Sequence, residues 1–258
     1  MQRLCASIVA MTLAAWCGGV LAADDGLVVE LAPYAWLAGV DGSVTVGGLS
    51  ADFDESFSDL VNDVDMGAMG FGVLRYRSLV AFGQFDYIDL EADAEVKADI
   101  GPNARPVGAK IDGEVELTIA TVGAGYTFDL FDRHAVDVML GVRSLQLDVS
   151  LDSGANKRSE DTDITDYIVM LSPLFNFGEK WQFRTILSYG FAGDSESTYE
   201  LQPQLHYRMS RPLTLSVGYR KLHYEEESGQ KGTLQRREFD GDIDGLMIGF
   251  SWTFKNDK

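Results

Sequence analysis

Arg75, Gln84, Asp86, Asp137, Arg143, Arg184, Glu200, Gln204, His206, Arg208 and Arg220 are the side chains best placed to do chemistry. In their segments polar positions such as these alternate with large apolar residues, so the polar groups share one face of an extended chain. Acids and guanidinium groups gathered inside an enclosed wall can pair into a salt-bridged plug, or they can line a polar passage for small solutes. A second set is wholly acidic: Asp52, Asp54, Glu55, Asp59, Asp63 and Asp65; Glu160, Asp161, Asp163 and Asp166; Glu225, Glu226, Glu227, Glu238, Asp240, Asp242 and Asp244. Their oxygens suit Ca²⁺ or Mg²⁺, but their spacing fits no closed EF-hand loop, so no metal site is assigned. There are three histidines, and no serine stands in a recognisable nucleophile motif. His223, with Glu225 and Asp89, is the best arrangement an enzyme reading could use; no catalytic residue and no cofactor is expected.

The elements that carry these groups read as strands. In Gly245–Phe254 the even positions Leu246, Ile248, Phe250, Trp252 and Phe254 are all large and apolar, and the odd ones are Gly, Met, Gly, Ser and Thr. Period two puts the large set on one face, and that face must meet lipid, because the other could not form a core. Leu213 to Arg220, Tyr199 to Arg208, Trp181 to Phe191 and Val136 to Arg143 repeat the pattern, apolar outward and polar inward. Pro203 falls inside one such strand and predicts a bulge or a weakened ladder there. Short turns are expected at 76–78, 129–133, 178–180 and 210–212, with longer acidic loops at the opposite end. The count is about ten strands in a single antiparallel up-and-down transmembrane barrel, with eight or twelve left open. Tyr76, Tyr126, Phe128, Trp181, Tyr207, Trp252 and Phe254 gather at the short-turn ends, where a headgroup-level aromatic girdle belongs. Within the first acidic loop, Phe57, Leu60 and Val61 have the spacing of a short amphipathic helix over the barrel mouth. Leu140-Gly141-Val142-Arg143-Ser144-Leu145 and Val217-Gly218-Tyr219-Arg220-Lys221-Leu222 share the form apolar-Gly-x-Arg-x-Leu. That echo reads either as a pair of interior arginines or as two strands answering the same packing demand.

The ends and the composition agree with export. Arg3, an apolar run from Leu4 to Trp16 and the small residues before Asp24 form a secretory signal peptide, so 1–22 is expected to be removed and 23–258 to form the barrel. Cys5 and Cys17 are the only cysteines and lie in that leader, which leaves no disulfide and no thiolate site. Losing Arg3 moves the net charge from −19 to −20, a balance that excludes nucleic acid as a partner. No stretch after the leader is long and apolar enough for a spanning helix.

Residues 33–46 (PYAWLAGVDGSVTV), 56–60 (SFSDL), 85–90 (FDYIDL), 141–143 (GVR) and 218–222 (GYRKL) resemble a family of poorly characterised, porin-like proteobacterial outer-membrane β-barrel proteins. The resemblance implies fold and location and carries over no catalytic residue. Phe71 and Val73 depart from it by putting apolar groups where inward polar ones are expected, and the tail Lys255–Lys258 extends past the terminal aromatic. The function this points to is an outer-membrane barrel, structural or porin-like for small solutes; the alternatives are a surface binding or adhesion protein, a lipid-modifying enzyme or a protease. The expected partners are outer-membrane lipids and lipopolysaccharide, the barrel-assembly machinery and periplasmic chaperones, with divalent cations at the acidic clusters.

Overall fold

The computed structural model describes residues 26–46, 49–55, 64–98, 107–131, 134–152, 157–228 and 237–255. The leader at 1–22 and the helical spacing at Phe57–Val61 lie outside them. Eleven strands follow one another: β1 (Val28–Val46), β2 (Leu49–Glu55), β3 (Val64–Tyr76), β4 (Leu79–Ala98), β5 (Val107–Leu130) and β6 (His134–Asp152), then β7 (Lys157–Phe177), β8 (Trp181–Gly193), β9 (Ser197–Arg208), β10 (Leu213–Ser228) and β11 (Arg237–Lys255). Each pairs antiparallel with its chain neighbour from β3 to β11, and β11 returns to β1 from Val28↔Lys255 to Val46↔Arg237. β2 and β3 share one edge of β1, β2 along Val40–Val46 and β3 along Val28–Pro33. The eleven segments therefore make a closed barrel of ten, in which the last strand and the first are paired rather than left as edges.

Alternation sets the two faces. On β11, Ile243, Met247 and Ser251 are buried, while Leu246, Ile248, Phe250, Trp252 and Phe254 are exposed. Leu31, Leu79, Phe85, Val122, Leu140, Val169, Leu187, Leu205 and Val217 continue that exposed apolar belt around the wall. No water-facing surface tolerates so wide an apolar band.

The strands are longer than expected, and this corrects the placing of the acids. β4, β5 and β7 have 20, 24 and 21 residues, against the roughly 9–11 that cross a bilayer. Asp52, Asp54 and Glu55 lie in β2, Asp65 in β3, Glu160 to Asp166 in β7, Glu225 to Glu227 in β10 and Glu238 to Asp244 in β11. These are paired strand extensions, not loops: ladder hydrogen bonds satisfy the backbone there without an outward apolar row to announce the strand. Asp59 and Asp63 lie outside the described residues. The β8–β9 connection is also short, only Asp194–Glu196, pinned by Asp166, whose carboxylate accepts from the Ser195 backbone N–H and hydroxyl at 2.9 and 2.7 Å.

Pro203 keeps its register without a bulge. Pairing of β9 with β10 skips from Gly218↔Gln204 to Lys221↔Leu201, while on the other side Thr185↔Pro203 is kept. The missing N–H weakens one ladder and spares the other.

Candidate functional site

The interior is filled in three layers. Near the short turns, Ala32, Phe71, Val73, Val80, Phe82, Met139, Ile168, Met170 and Ile186 form one buried apolar cluster. Nearer the other end, Trp36, Ala38, Ile119, Leu145, Ile164, Leu222, Tyr224, Ile243 and Met247 form a second. Phe71 and Val73, apolar where inward polar groups are expected, belong to the first and help close it.

Between the two lies an ion network that joins β9 and β10, neighbours in the wall, to β4 and β6, which are not adjacent to them. Arg220, from β10, donates through Nη1 to Asp86 Oδ2 on β4 at 2.8 Å and through Nε to Glu200 Oε1 on β9 at 2.7 Å. Arg143, from β6, donates to the other oxygen of Glu200, to Ser188 Oγ at 2.6 Å and to Thr121 Oγ1 at 3.4 Å. Both arginines are 0% exposed. The Tyr34 hydroxyl donates to Asp86, and Gln84, with its amide oxygen turned toward Arg220, accepts at 3.0 Å from Nη1. The guanidinium of Arg220 also lies over the Trp36 ring, 4.3 Å from its centroid. Two buried cations meet two buried carboxylates, so the network is neutral as a unit, the condition for keeping charge out of water.

The repeated apolar-Gly-x-Arg-x-Leu form acquires a physical meaning here. Its two arginines converge on one carboxylate, and its two leucines, Leu145 and Leu222, are both buried in the layer above.

The remaining polar candidates fall elsewhere. Arg75 and Asp137 make a separate bidentate pair at 2.6 and 2.7 Å, joined by Thr127. The Arg75 side chain is 22% exposed, so Asp137→Asn is expected to cost only about 1–2 kcal/mol in urea unfolding of the lipid-embedded barrel. Arg184 faces Glu30 at 3.4 Å, Gln204 and His206 are buried one turn-ward step at a time along β9, and Arg208 is exposed at the short-turn end, donating to the Glu179 carbonyl at 3.2 Å. Tyr34, Trp36, Thr121 and Glu30 are missed from the sequence, and Ser188 reads as inward-facing but not as a site residue. For the β1 members the signal was parity: Glu30, Ala32, Tyr34 and Trp36 share one face.

His223 does not meet Asp89. It stands on the outward face of β10, stacked on Tyr199 with ring centroids 4.7 Å apart, and its Nδ1 lies 3.0 Å from Asp242 Oδ1. Asp89 belongs to β4, four wall positions away. A period-two reading assigns a face but not which strands become neighbours.

A closed ten-stranded antiparallel up-and-down barrel is the class these features define. Neither a family model nor a curated protein matches the sequence. Among solved structures, the outer membrane protease OmpT from Escherichia coli is similar with a TM-score of 0.60 at 7% identity, over 91% of this chain and 99% of that one. The attachment invasion locus protein Ail of Yersinia pestis matches at a TM-score of 0.37 and 12% identity, over 89% and 99% of the two chains. The P. putida toluene transporter TodX matches at 0.36 and 11%, over 90% and 91%. At 7% identity the likeness to the protease is one of fold.

Proposed function

We propose that the chain is an integral protein of the bacterial outer membrane, exported through its leader, that serves as a sealed structural barrel rather than a solute pore. The observation that carries this reading is the neutral Asp86–Arg220–Glu200–Arg143 network packed between two apolar layers. A pore needs a continuous water-lined path with charges turned toward the solute. Here the central charges are spent on one another. The exposed apolar belt supports a lipid environment, and the exposed aromatics Tyr76, Tyr126, Phe128, Trp181 and Trp252 support a girdle at the short-turn, periplasmic end.

A second role rests on the strand extensions. The acid-rich outer parts of β2, β7, β10 and β11 form paired sheet, a firmer platform than loops for a surface-binding function or for divalent cations shared with lipopolysaccharide.

Purified protein in planar bilayers is expected to give no unitary current at any holding voltage, with a known porin inserting normally under the same conditions. Regular, voltage-stable channel events would overturn the sealed-barrel reading.

A further inference from the structure

Half of the ten buried side-chain polar atoms that lack a partner among the described residues gather on one stripe of the interior. At the short-turn end, a cavity of about 650 Å³ opens between the turns at 178–180 and 210–212. Its wall includes Asn176, Gln182, His206 and Thr214, and its mouth carries Lys180 and Arg208 beside the single carboxylate of Glu179. In a chain of net charge −19, a mouth with two cations and one acid selects for an anion.

The inner face of β9 continues from that cavity. His206 is 2% exposed and its Nε2 has no partner; deeper along the same face, Gln204 Oε1 and both amide atoms of Gln202 have none, nor has Nε of Arg184, the residue opposite Gln204. Buried polar groups are nearly always hydrogen-bonded, so His206 Nε2, the one of these five atoms that borders the cavity, marks a place for something else to bond. At ~3.4 Å per residue the stripe from His206 to Gln202 runs roughly 13 Å inward. The cluster of Phe71, Val73, Phe82 and Met170 fills the lumen beyond that stripe, and the apolar part of the cavity wall is Met209.

We propose that this pocket binds a small carboxylate that carries an amide and a short apolar group, of the kind found in an N-acylated amino acid. The carboxylate sits at Lys180 and Arg208, the amide bonds His206, and the apolar group lies against Met209, all four residues lining the cavity. The cavity has the volume of a small-molecule site. This site is independent of the sealed-barrel reading: failure to bind leaves the conductance result untouched.

The three histidines make the test direct. Full-length mature protein in nanodiscs, ¹⁵N-labelled at histidine, is titrated with N-acetylleucine and, separately, with the uncharged N-acetylleucinamide. The imidazole signal of His206 is expected to move saturably with N-acetylleucine while that of His223 stays fixed; His134, whose Nδ1 accepts from the Asn176 N–H in the cavity wall, moves less than His206. The uncharged amide, and N-acetylleucine with the Arg208→Gln variant, are each expected to bind about fivefold more weakly, the worth of one solvent-touched charged hydrogen bond. Arg208 is exposed, so that variant folds. No saturable movement of His206 up to roughly 50 mM, equal movement of all three histidines, or equal binding of the uncharged amide would overturn the proposal and leave a merely hydrated cleft.

Discussion

Glu200→Gln is expected to destabilise the folded barrel by about 3–5 kcal/mol, the cost of leaving a buried charge without its partner. The loss falls on one arginine more than the other. Without the Glu200 charge, Arg220 keeps Asp86 at 2.8 Å, whereas Arg143 keeps only the hydroxyls of Ser188 and Thr121. Among the described residues Glu200 is the only carboxylate in ion-pair range of Arg143. The double variant Arg143→Met, Glu200→Gln should therefore be more stable than Glu200→Gln alone, although it carries more substitutions. Urea unfolding in lipid vesicles, followed by tryptophan emission, checks both. Trp36 lies under the Arg220 guanidinium, so its emission reports the network itself. A loss below about 1 kcal/mol for Glu200→Gln would mean that the interior is wet enough to solvate Arg143. The sealed-barrel reading would fall with it.

The same arithmetic separates a structural network from a functional one. Replacing Asp86, Arg143, Glu200 and Arg220 together by apolar residues of similar volume removes the desolvation cost along with the attraction, and buried ion clusters treated this way are often as stable as before. The two apolar layers already present would then merge into one core. Retained packing with lost closure would place the worth of the charges in register, whereas retained stability and closure would show that neither depends on them.

How far the sequence discloses this arrangement depends on the kind of contact. β11 is legible because lipid reverses the usual rule: an outward row of Leu246, Ile248, Phe250, Trp252 and Phe254 has no soluble counterpart. The acids of β7, β10 and β11 read as loops because the outward row turns from apolar to acidic there: Asp240, Asp242 and Asp244 stand outward while Ile243 stays inward, and ladder bonds, which leave no composition signal, continue those strands. The polar face of each strand is readable from parity, but partners across the lumen are not. Asp86 and Arg220 stand 134 positions apart, and only closure of β11 on β1 sets them at one height. For the same reason the apolar-Gly-x-Arg-x-Leu echo is visible along the chain, while its convergence on Glu200 is not.

That closure gives the second large effect. Gly245→Val is expected to prevent the barrel from closing, and Gly245→Ala to cost about 3 kcal/mol, as overpacking against rigid backbone does. Gly245 stands between Ala38 on β1 and Arg220 on β10, in the seam that joins the last strand to the first. A Cβ there would lie 2.0 Å from the Leu37 carbonyl oxygen and 2.8 Å from Ala38 Cα. Both are backbone atoms of the partner strand, so no rotamer change relieves the contact; β1 must move, and with it Trp36 and the floor under Arg220. Gly178 is the matched control. It has φ +66° in the β7–β8 turn and nothing within 4 Å of a built Cβ, so Gly178→Ala pays only for the left-handed backbone, about 1–2 kcal/mol. Heat-modifiable migration in SDS gels reads closure directly: Gly178→Ala should keep the compact, fast-running form, Gly245→Ala should convert at a lower temperature, and Gly245→Val should run unfolded without heating. Wild-type behaviour of Gly245→Val would mean that the seam has slack and that the β1–β11 register does not set the height of the ion network.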